Sequence, residues 1–466
     1  MNAPLSRAVG SRVEQVAATI RARIAERSLA PGARLPSIRK LAAAMQVSPS
    51  TVVEAYERLV AAGAIRARRG SGFYVCGPSE PLTLSALAPR LERAVDPLWV
   101  SRQALETDEG VLKPGCGWLP ADWMPQDALR RVLRALARSG ADTALADYGT
   151  PLGLPGLRQL LARRMADRGI AVSPDQIILT ESGTHALDLL CRFLLSPGDT
   201  VLVDDPCYFN FLALLRAHRA KVVGVPMTPA GPDVERFAAI LAAERSRLYV
   251  TNAGLHNPTG AVASPAVAHR LLRLAEAHGL TIIEDDIFAD FEEEPSPRLA
   301  ALDGLERVIE VGSFAKTLSA SARCGFIAMR PDWIEPLTDL KTATSFGGAH
   351  LASHIAFAIL ADGGYRRHME GLRARLARAR QRTLARLGDL GIEPWLEPRA
   401  GMFLWCRLPE GRDAAAVARH ALGRGVVLAP GDAFSASRSA AAFLRFNVAQ
   451  SADPRIYEVL AEAMTR

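Results

Sequence analysis

Apolar positions along the chain change their period twice. Near the start, Val13, Val16, Ala17, Ile20 and Ile24 recur at helical spacing and predict an amphipathic helix from about Arg12 to Arg27. Pro31-Gly32 interrupts it. Leu35-Pro36-Ser37 then supplies a cap, with Ser37 as N-cap of a second helix carrying Ile38, Leu41, Ala42 and Met45. After the turn Gln46-Val47-Ser48, Ser48 or Ser50 caps a third helix with Val52, Val53, Tyr56, Leu59 and Val60 inside, and Gly63 ends it. Ile65 to Cys76 reads as two short strands around Arg69-Gly70-Ser71-Gly72. Two short helices, a tight turn and a hairpin compose a winged helix-turn-helix over residues 11–77.

A stretch with three prolines follows, and residues 78–96 read as a linker. From about Leu98 helical patterns alternate with short apolar runs: Ile177–Thr180, Val201–Val203, Val222–Val225, Leu248–Thr251, Thr281–Glu284, Val308–Val311 and Phe326–Met329. Strands spaced by helices predict an α/β fold, a mostly parallel sheet with both faces covered and ligands at the carboxyl ends of its strands. After about residue 365 an arginine-rich helix and the runs Met402–Cys406, Val426–Ala429 and Phe443–Val448 predict a smaller α+β lobe. The second domain is thus 97–466, with its small lobe at about 365–466.

Charge separates the same two parts. Residues 1–77 hold twelve Arg and Lys against four Glu and no Asp, a net +8, whereas the whole chain is +7. Concentrated positive charge on a short module favours a polyanion such as DNA. An arginine-biased composition explains part of the excess, but not the scarcity of acids in this segment alone. Six cysteines are scattered without a CxxC pair, so neither a disulfide frame nor a zinc site is expected, and no metal is assigned. No apolar run of about 18 residues occurs and the first residues form no apolar signal, so a cytoplasmic protein without a membrane span is expected.

The chemistry centres on Gly312-Ser-Phe-Ala-Lys316-Thr-Leu-Ser-Ala-Ser-Ala-Arg323-Cys-Gly325, a loop between two apolar strands. Desolvation of a lysine at a strand end disfavours its ammonium form and leaves a nucleophilic amine of the kind that joins carbonyls. Ser313, Ser319, Ser321 and Arg323 offer hydrogen bonds and charge to a phosphate. A phosphate-bearing aldehyde on a lysine describes pyridoxal phosphate. Of the five lysines, Lys40, Lys113, Lys221 and Lys341 have no such surroundings.

This loop resembles the lysine motif of fold-type I aminotransferases, and five further segments resemble the same family, which spans roughly residues 110 to 466. Glu181-Ser182-Gly183-Thr184 opens a helix, whose free N–H groups suit the cofactor phosphate. Tyr208, after Asp205-Pro206, stands where the family stacks an aromatic on the pyridine ring. Asn257, in Asn-Pro-Thr-Gly, is implied as donor to the phenolic oxygen. In Glu284-Asp285-Asp286, spacing selects Asp285 to keep the pyridine nitrogen protonated, which makes the ring an electron sink. Arg445, alone in the apolar Leu444–Asn447 run, is implied as partner of a substrate α-carboxylate; a structural salt bridge is the competing use. Tyr148 lies in a segment that, by resemblance, reaches the cofactor phosphate of a neighbouring subunit, so a homodimer is implied. One position departs: where many aminotransferases place a tyrosine three residues after the aspartate, this chain has Phe288. That removes a hydrogen bond worth roughly 0.5–1.5 kcal/mol and alters the pKa of the internal aldimine on Lys316.

The first module resembles the GntR family over its whole length, through Gly-Ala-Arg-Leu-Pro-Ser-Ile-Arg-Lys-Leu-Ala and Val-Ser-Pro-Ser-Thr-Val-Val-Glu-Ala-Tyr-Glu-Arg-Leu. The resemblance puts the third helix in the major groove of double-stranded operator DNA. Ser48, Ser50 and Thr51 then lie at its leading turn, Arg39 on a phosphate or guanine edge, and Arg69 and Gly70 at the wing tip. A GntR-like head on an aminotransferase-like body is the layout of MocR-type regulators. It implies a dimer whose pyridoxal domain senses an amino compound, or the cofactor itself. A working aminotransferase with an incidental head is the second reading, and a nucleoid-type binder the third.

Overall fold

Helix caps and one buried tyrosine shape the first part of the chain. The structure, a computed structural model, describes residues 11–25, 29, 32–68, 71–76, 97–106, 110–138, 146, 148–348, 350–409 and 411–465. Two compact units, Met1–Ala88 and Pro89–Arg466, divide it, and each is described by itself.

In the first unit, α1 spans Arg12–Ala25, α2 Ile38–Met45 and α3 Pro49–Ala61, followed by β1 Ile65–Arg68 and β2 Gly72–Val75. Ser37 Oγ accepts from Lys40 N and starts α2; Ser48 Oγ accepts from Thr51 N at 3.2 Å and starts α3. Tyr56 is fully buried and its hydroxyl donates to the Pro36 carbonyl at 2.7 Å, tying α3 to the residue before the α2 cap. The wing pairs antiparallel, Ile65 against Val75. The segment before α2 joins its other edge, with Leu35 N donating to Phe73 O and Val75 N to Ala33 O. Val16, Ala17, Ile20, Leu41, Val52 and Leu59 fill the core. Two expectations are corrected: Val53 and Val60 do not face inward but are 37% and 38% exposed, on the open side of α3. Arg69, Gly70, the linker 78–96 and the last turn expected of the first helix lie outside the described residues.

The second unit is built on an eight-stranded sheet of order β3-β10-β9-β8-β7-β4-β5-β6. Its strands are β3 Ile177–Thr180, β4 Thr200–Asp205, β5 Lys221–Thr228, β6 Gly231–Pro232, β7 Ser246–Thr251, β8 Thr281–Asp285, β9 Val308–Ser313 and β10 Gly325–Ala328. The five strands β9-β8-β7-β4-β5 pair parallel, and β10 enters antiparallel between β9 and β3. Most of these strands are buried along nearly their whole length, as apolar runs covered on both faces must be. The lysine loop is the connection between β9 and β10.

The smaller lobe follows the helix Gly364–Gly388 and holds a four-stranded antiparallel sheet, β11-β12-β14-β13, from Glu393–Pro394, Phe403–Arg407, Phe443–Asn447 and Ala429–Pro430. The expected strand Val426–Ala429 is corrected: only Ala429 and Pro430 pair with β14. Its earlier residues bond instead to Leu112–Gly115, with Leu112 N donating to Gly425 O, Val427 N to Leu112 O and Gly115 N to Val427 O. This pairing fixes the residues that follow it, Cys116 to Trp118, beside the lysine loop.

Candidate cofactor site

The carboxyl ends of β4, β7, β8 and β9 surround a cavity of about 390 Å³, within the range of small-molecule sites. Ser182, Gly183, Thr184, Tyr208, Asn257, Asp285, Ser313, Lys316, Arg323 and Arg445 all line it. Tyr148 does not; it is 68% exposed and packs edge-on against Phe346, ring centroids 4.8 Å apart.

Lys316 enters from the β9–β10 loop, and its Nζ donates to the Gly117 carbonyl at 2.6 Å. Removal from water pulls its amine down to about 8, helped by the positive charge of Arg445. Ser313 Oγ donates to Cys324 O and accepts from Ala315 N, which closes the loop on itself. Ser319 Oγ accepts from Ser321 N and Ala322 N, so this hydroxyl shapes the turn that carries Arg323.

Across the cavity, Ser182 caps the helix Gly183–Leu194, its Oγ accepting from His185 N at 3.0 Å. The N–H groups of Gly183 and Thr184 open that helix, where no intrahelical carbonyl reaches them. Gly325 is required behind this turn: a Cβ there would meet the Ser182 carbonyl carbon at 2.5 Å.

The three acids of Glu284-Asp285-Asp286 part company because side chains alternate along a strand. Glu284 accepts from Leu299 N and Ala300 N, at the start of the helix Leu299–Asp303. Asp286 pairs with Arg298 at 2.9 Å and Arg168 at 3.4 Å. Asp285 faces the cavity, with Ile287 N at 3.3 Å from its carboxylate. No ion pair reaches it among the described residues, and burial pushes it up to about 7.

Arg445 is 1% exposed. It donates to Gly115 O at 2.8 Å and to Asn257 Oδ1 at 3.1 Å, and Phe403 covers its guanidinium at 4.1 Å. Among the described residues no carboxylate lies within ion-pair distance, and its Nε is unpaired. Burial lowers it to about 10. The Asn257 loop is held from behind: His256 pairs with buried Asp204 at 3.3 Å and bonds Thr259 at 2.8 Å.

Three contributors carry little sequence signal. Asn252 donates to the Asp285 backbone carbonyl at 2.7 Å and leaves its Oδ1 without a partner at the cavity wall. Gly117 acts through its carbonyl, which any residue type supplies. Asn447 fastens that loop by donating to Cys116 O and Trp118 O.

The donor set fits pyridoxal phosphate. Asp285 is a buried acid lacking a cation, which a protonated ring nitrogen would provide. Lys316 is an amine freed of part of its charge. The Gly183–Thr184 turn and Arg323 gather donors for a phosphate, beside Ser313, whose hydroxyl is given to Cys324 O. Asn252 Oδ1 and Arg445 Nε are buried atoms still without partners.

On the first unit, Arg39, Ser48 and Ser50 are exposed and Thr51 is half-exposed. Ser48 Oγ lies 2.8 Å from both the Ser50 and Thr51 hydroxyls. Arg21 and Arg58 are engaged by Glu14, whereas Arg39, Lys40, Arg66 and Arg68 meet no carboxylate among the described residues.

Comparison with known proteins agrees with both halves. Residues 118–463 match the family "Aminotransferase class I and II", and residues 12–75 match "Bacterial regulatory proteins, gntR family". The HTH-type transcriptional regulator YdcR of Escherichia coli (strain K12) is 30% identical over 94% of this chain and 95% of its own. The aromatic-amino-acid aminotransferase 1 of Thermococcus litoralis is 29% identical over 73% of this chain and 84% of its own. The crystal structure of LysN, the α-aminoadipate aminotransferase of Thermus thermophilus in complex with N-(5'-phosphopyridoxyl)-L-leucine, superposes with a TM-score of 0.72. It is 25% identical and covers 81% of this chain and 95% of its own. The chain belongs to the aminotransferase class I and II family, and its fused gntR-family head gives it the two-part layout of the MocR-type regulators.

Proposed function

We propose that this protein is a cytosolic, homodimeric transcription regulator whose second unit holds pyridoxal phosphate on Lys316 and senses an amino compound or the cofactor itself. Its parts are a DNA-binding head at 11–77, a connector at 78–96 and a sensing domain at 97–466. One observation carries the reading: a cavity that gathers Lys316, Asp285, Asn257, Arg445 and a helix-start phosphate cradle lies on the same chain as a basic winged helix on which Arg39, Lys40, Arg66 and Arg68 meet no carboxylate among the described residues.

The residues divide the work. The bound group supplies an electrophilic aldehyde and an electron-withdrawing ring. Lys316 would hold that aldehyde; Asp285, raised to about 7 by burial and without an ion pair among the described residues, would pair with a protonated ring nitrogen. Asn257 and Tyr208 set the ring's position. Ser182, Gly183, Thr184, Ser313 and Arg323 bind the phosphate, and Arg445 receives a carboxylate. Tyr148 and Phe346 stand exposed together, outside their own cavity, which suits contact with a second subunit. In the head, Arg39, Ser48, Ser50 and Thr51 meet DNA, with Arg69 and Gly70 at the wing.

A ligand shifts the domain arrangement only by its differential affinity for the two forms. A mobility-shift titration on the chain's own upstream DNA tests this. Arg39→Ala with Arg69→Ala should abolish the shift and spare cofactor absorbance. DNA binding that survives both substitutions contradicts the head assignment. Equal affinity for random DNA would favour a nucleoid-type binder.

The same cavity supports a second reading, an active aminotransferase, because Lys316, Asp285 and Arg445 share it. Turnover of common amino donors with 2-oxoglutarate or pyruvate at rates around 1–10³ per second would favour that reading.

A further inference from the structure

The charges of the cavity narrow the compound it can sense. This inference rests on the proposed cofactor site. Among the described residues four charged side chains line the cavity: Lys316, Arg323, Arg445 and Asp285. Lys316, Arg323 and Asp285 are taken by the aldehyde, phosphate and ring nitrogen of the cofactor. Arg445 alone remains for an anion, and its geometry accommodates one: Nη1 and Nη2 hold Asn257 and Gly115, and Nε is free.

Part of the cavity wall beside Arg445 is apolar. Phe403 lies 4.1 Å over its guanidinium, and Phe288 packs on Phe403 with ring centroids 5.7 Å apart. Phe288 adds no hydroxyl to this wall. Trp118 and Ile287 extend it. At the lip stands Leu105, near the end of α4, the helix Pro97–Glu106. Trp99, Val100 and Ala104 anchor α4 by burial, whereas Leu105 is 72% exposed and lines the cavity. A leucine left in water on an anchored helix, beside an aromatic wall, gains by being covered.

We propose that the sensed compound is a neutral amino acid with a bulky apolar side chain and no second acid group, and that Leu105 touches that side chain. Among the described residues of this chain no further cation lines the cavity to receive a second carboxylate taken from water, which disfavours aspartate and glutamate.

Protein loaded with pyridoxal phosphate and freed of excess is titrated with leucine, methionine, phenylalanine, alanine, aspartate and glutamate, by calorimetry and cofactor absorbance. The bulky apolar compounds should bind at least tenfold more tightly than alanine, aspartate or glutamate. Leu105→Ala should weaken them about fivefold, and Leu105→Arg should improve glutamate at least tenfold. Aspartate or glutamate binding as tightly as leucine overturns the proposal. Failure of every amino acid to bind cofactor-loaded protein also overturns it, while leaving the cofactor site standing. Protein that retains no cofactor overturns the site itself, and this inference with it.

Discussion

Lys316 and Lys341 are both drawn down to about 8 by burial, yet of the two Lys316 lines the candidate site. Lys341 donates to the Pro151 carbonyl within the second unit. Desolvation alone therefore does not mark a functional lysine; the convergence of Asp285, Asn257 and the Ser182 turn does. All four line one cavity; Lys316 was legible in the sequence from its loop, and Asp285, Asn257 and Arg445 through the resemblance of their segments to the aminotransferases. Gly117 was not, because it contributes only a backbone carbonyl. Asn252 was not, because it acts on the backbone of Asp285. Asp285 also yields a pH prediction. Its folded value of about 7 exceeds the ordinary 3.8, so between them the folded state keeps a proton that the unfolded chain releases. Stability of cofactor-free protein therefore falls as pH rises through that window. Asp285→Asn should be more stable than wild type at pH 8, by about 1–3 kcal/mol, and no more stable at pH 4, as read from urea midpoints. Equal midpoints at both pH values contradict the assignment. Because Lys316 titrates near 8, uptake of pyridoxal phosphate should quicken with pH and level off near that value; a flat profile opposes it.

At the scale of elements, the strands of the large sheet were readable because burial on both faces makes them continuous apolar runs. Val426–Ala429 has the same character but mostly meets Leu112–Gly115, and no local pattern tells a strand which distant segment it will pair with. Val53 and Val60 were misplaced because α3 is apolar on more than its buried stripe. Beneath the site, β8 and β9 carry Glu284 and Glu310 as direct neighbours. Burial drives Glu310 up from the ordinary carboxylate range, against the pull of Arg168. Fully buried Arg298 joins Asp286 to Glu292. Arg298→Met leaves Asp286 with Arg168 alone and Glu292 with Arg399 alone, and should cost about 1–3 kcal/mol, measured by denaturant midpoint. A loss below about 1 kcal/mol would show the network to be dispensable. Ser182→Ala removes a cap and should cost about 0.5–2 kcal/mol, with weaker cofactor retention as its second readout.

On the scale of the whole molecule, the division into a basic head and a nearly neutral body was readable from charge alone. What joins them functionally is chemistry held in separate units, and sequence order carries no distance between those units. Because Arg39, Lys40, Arg66 and Arg68 meet no carboxylate among the described residues, DNA affinity should fall steeply with salt, and Arg39→Ala should flatten that slope by about one counterion. The account stands on a single link: what sits on Lys316 governs the head. Operator affinity of the full chain is measured with and without pyridoxal phosphate, and again with a neutral apolar amino acid, for wild type and Lys316→Ala. Wild type should change its affinity at least tenfold between those states, and Lys316→Ala should not respond. Identical affinities across all states and both proteins would contradict the account.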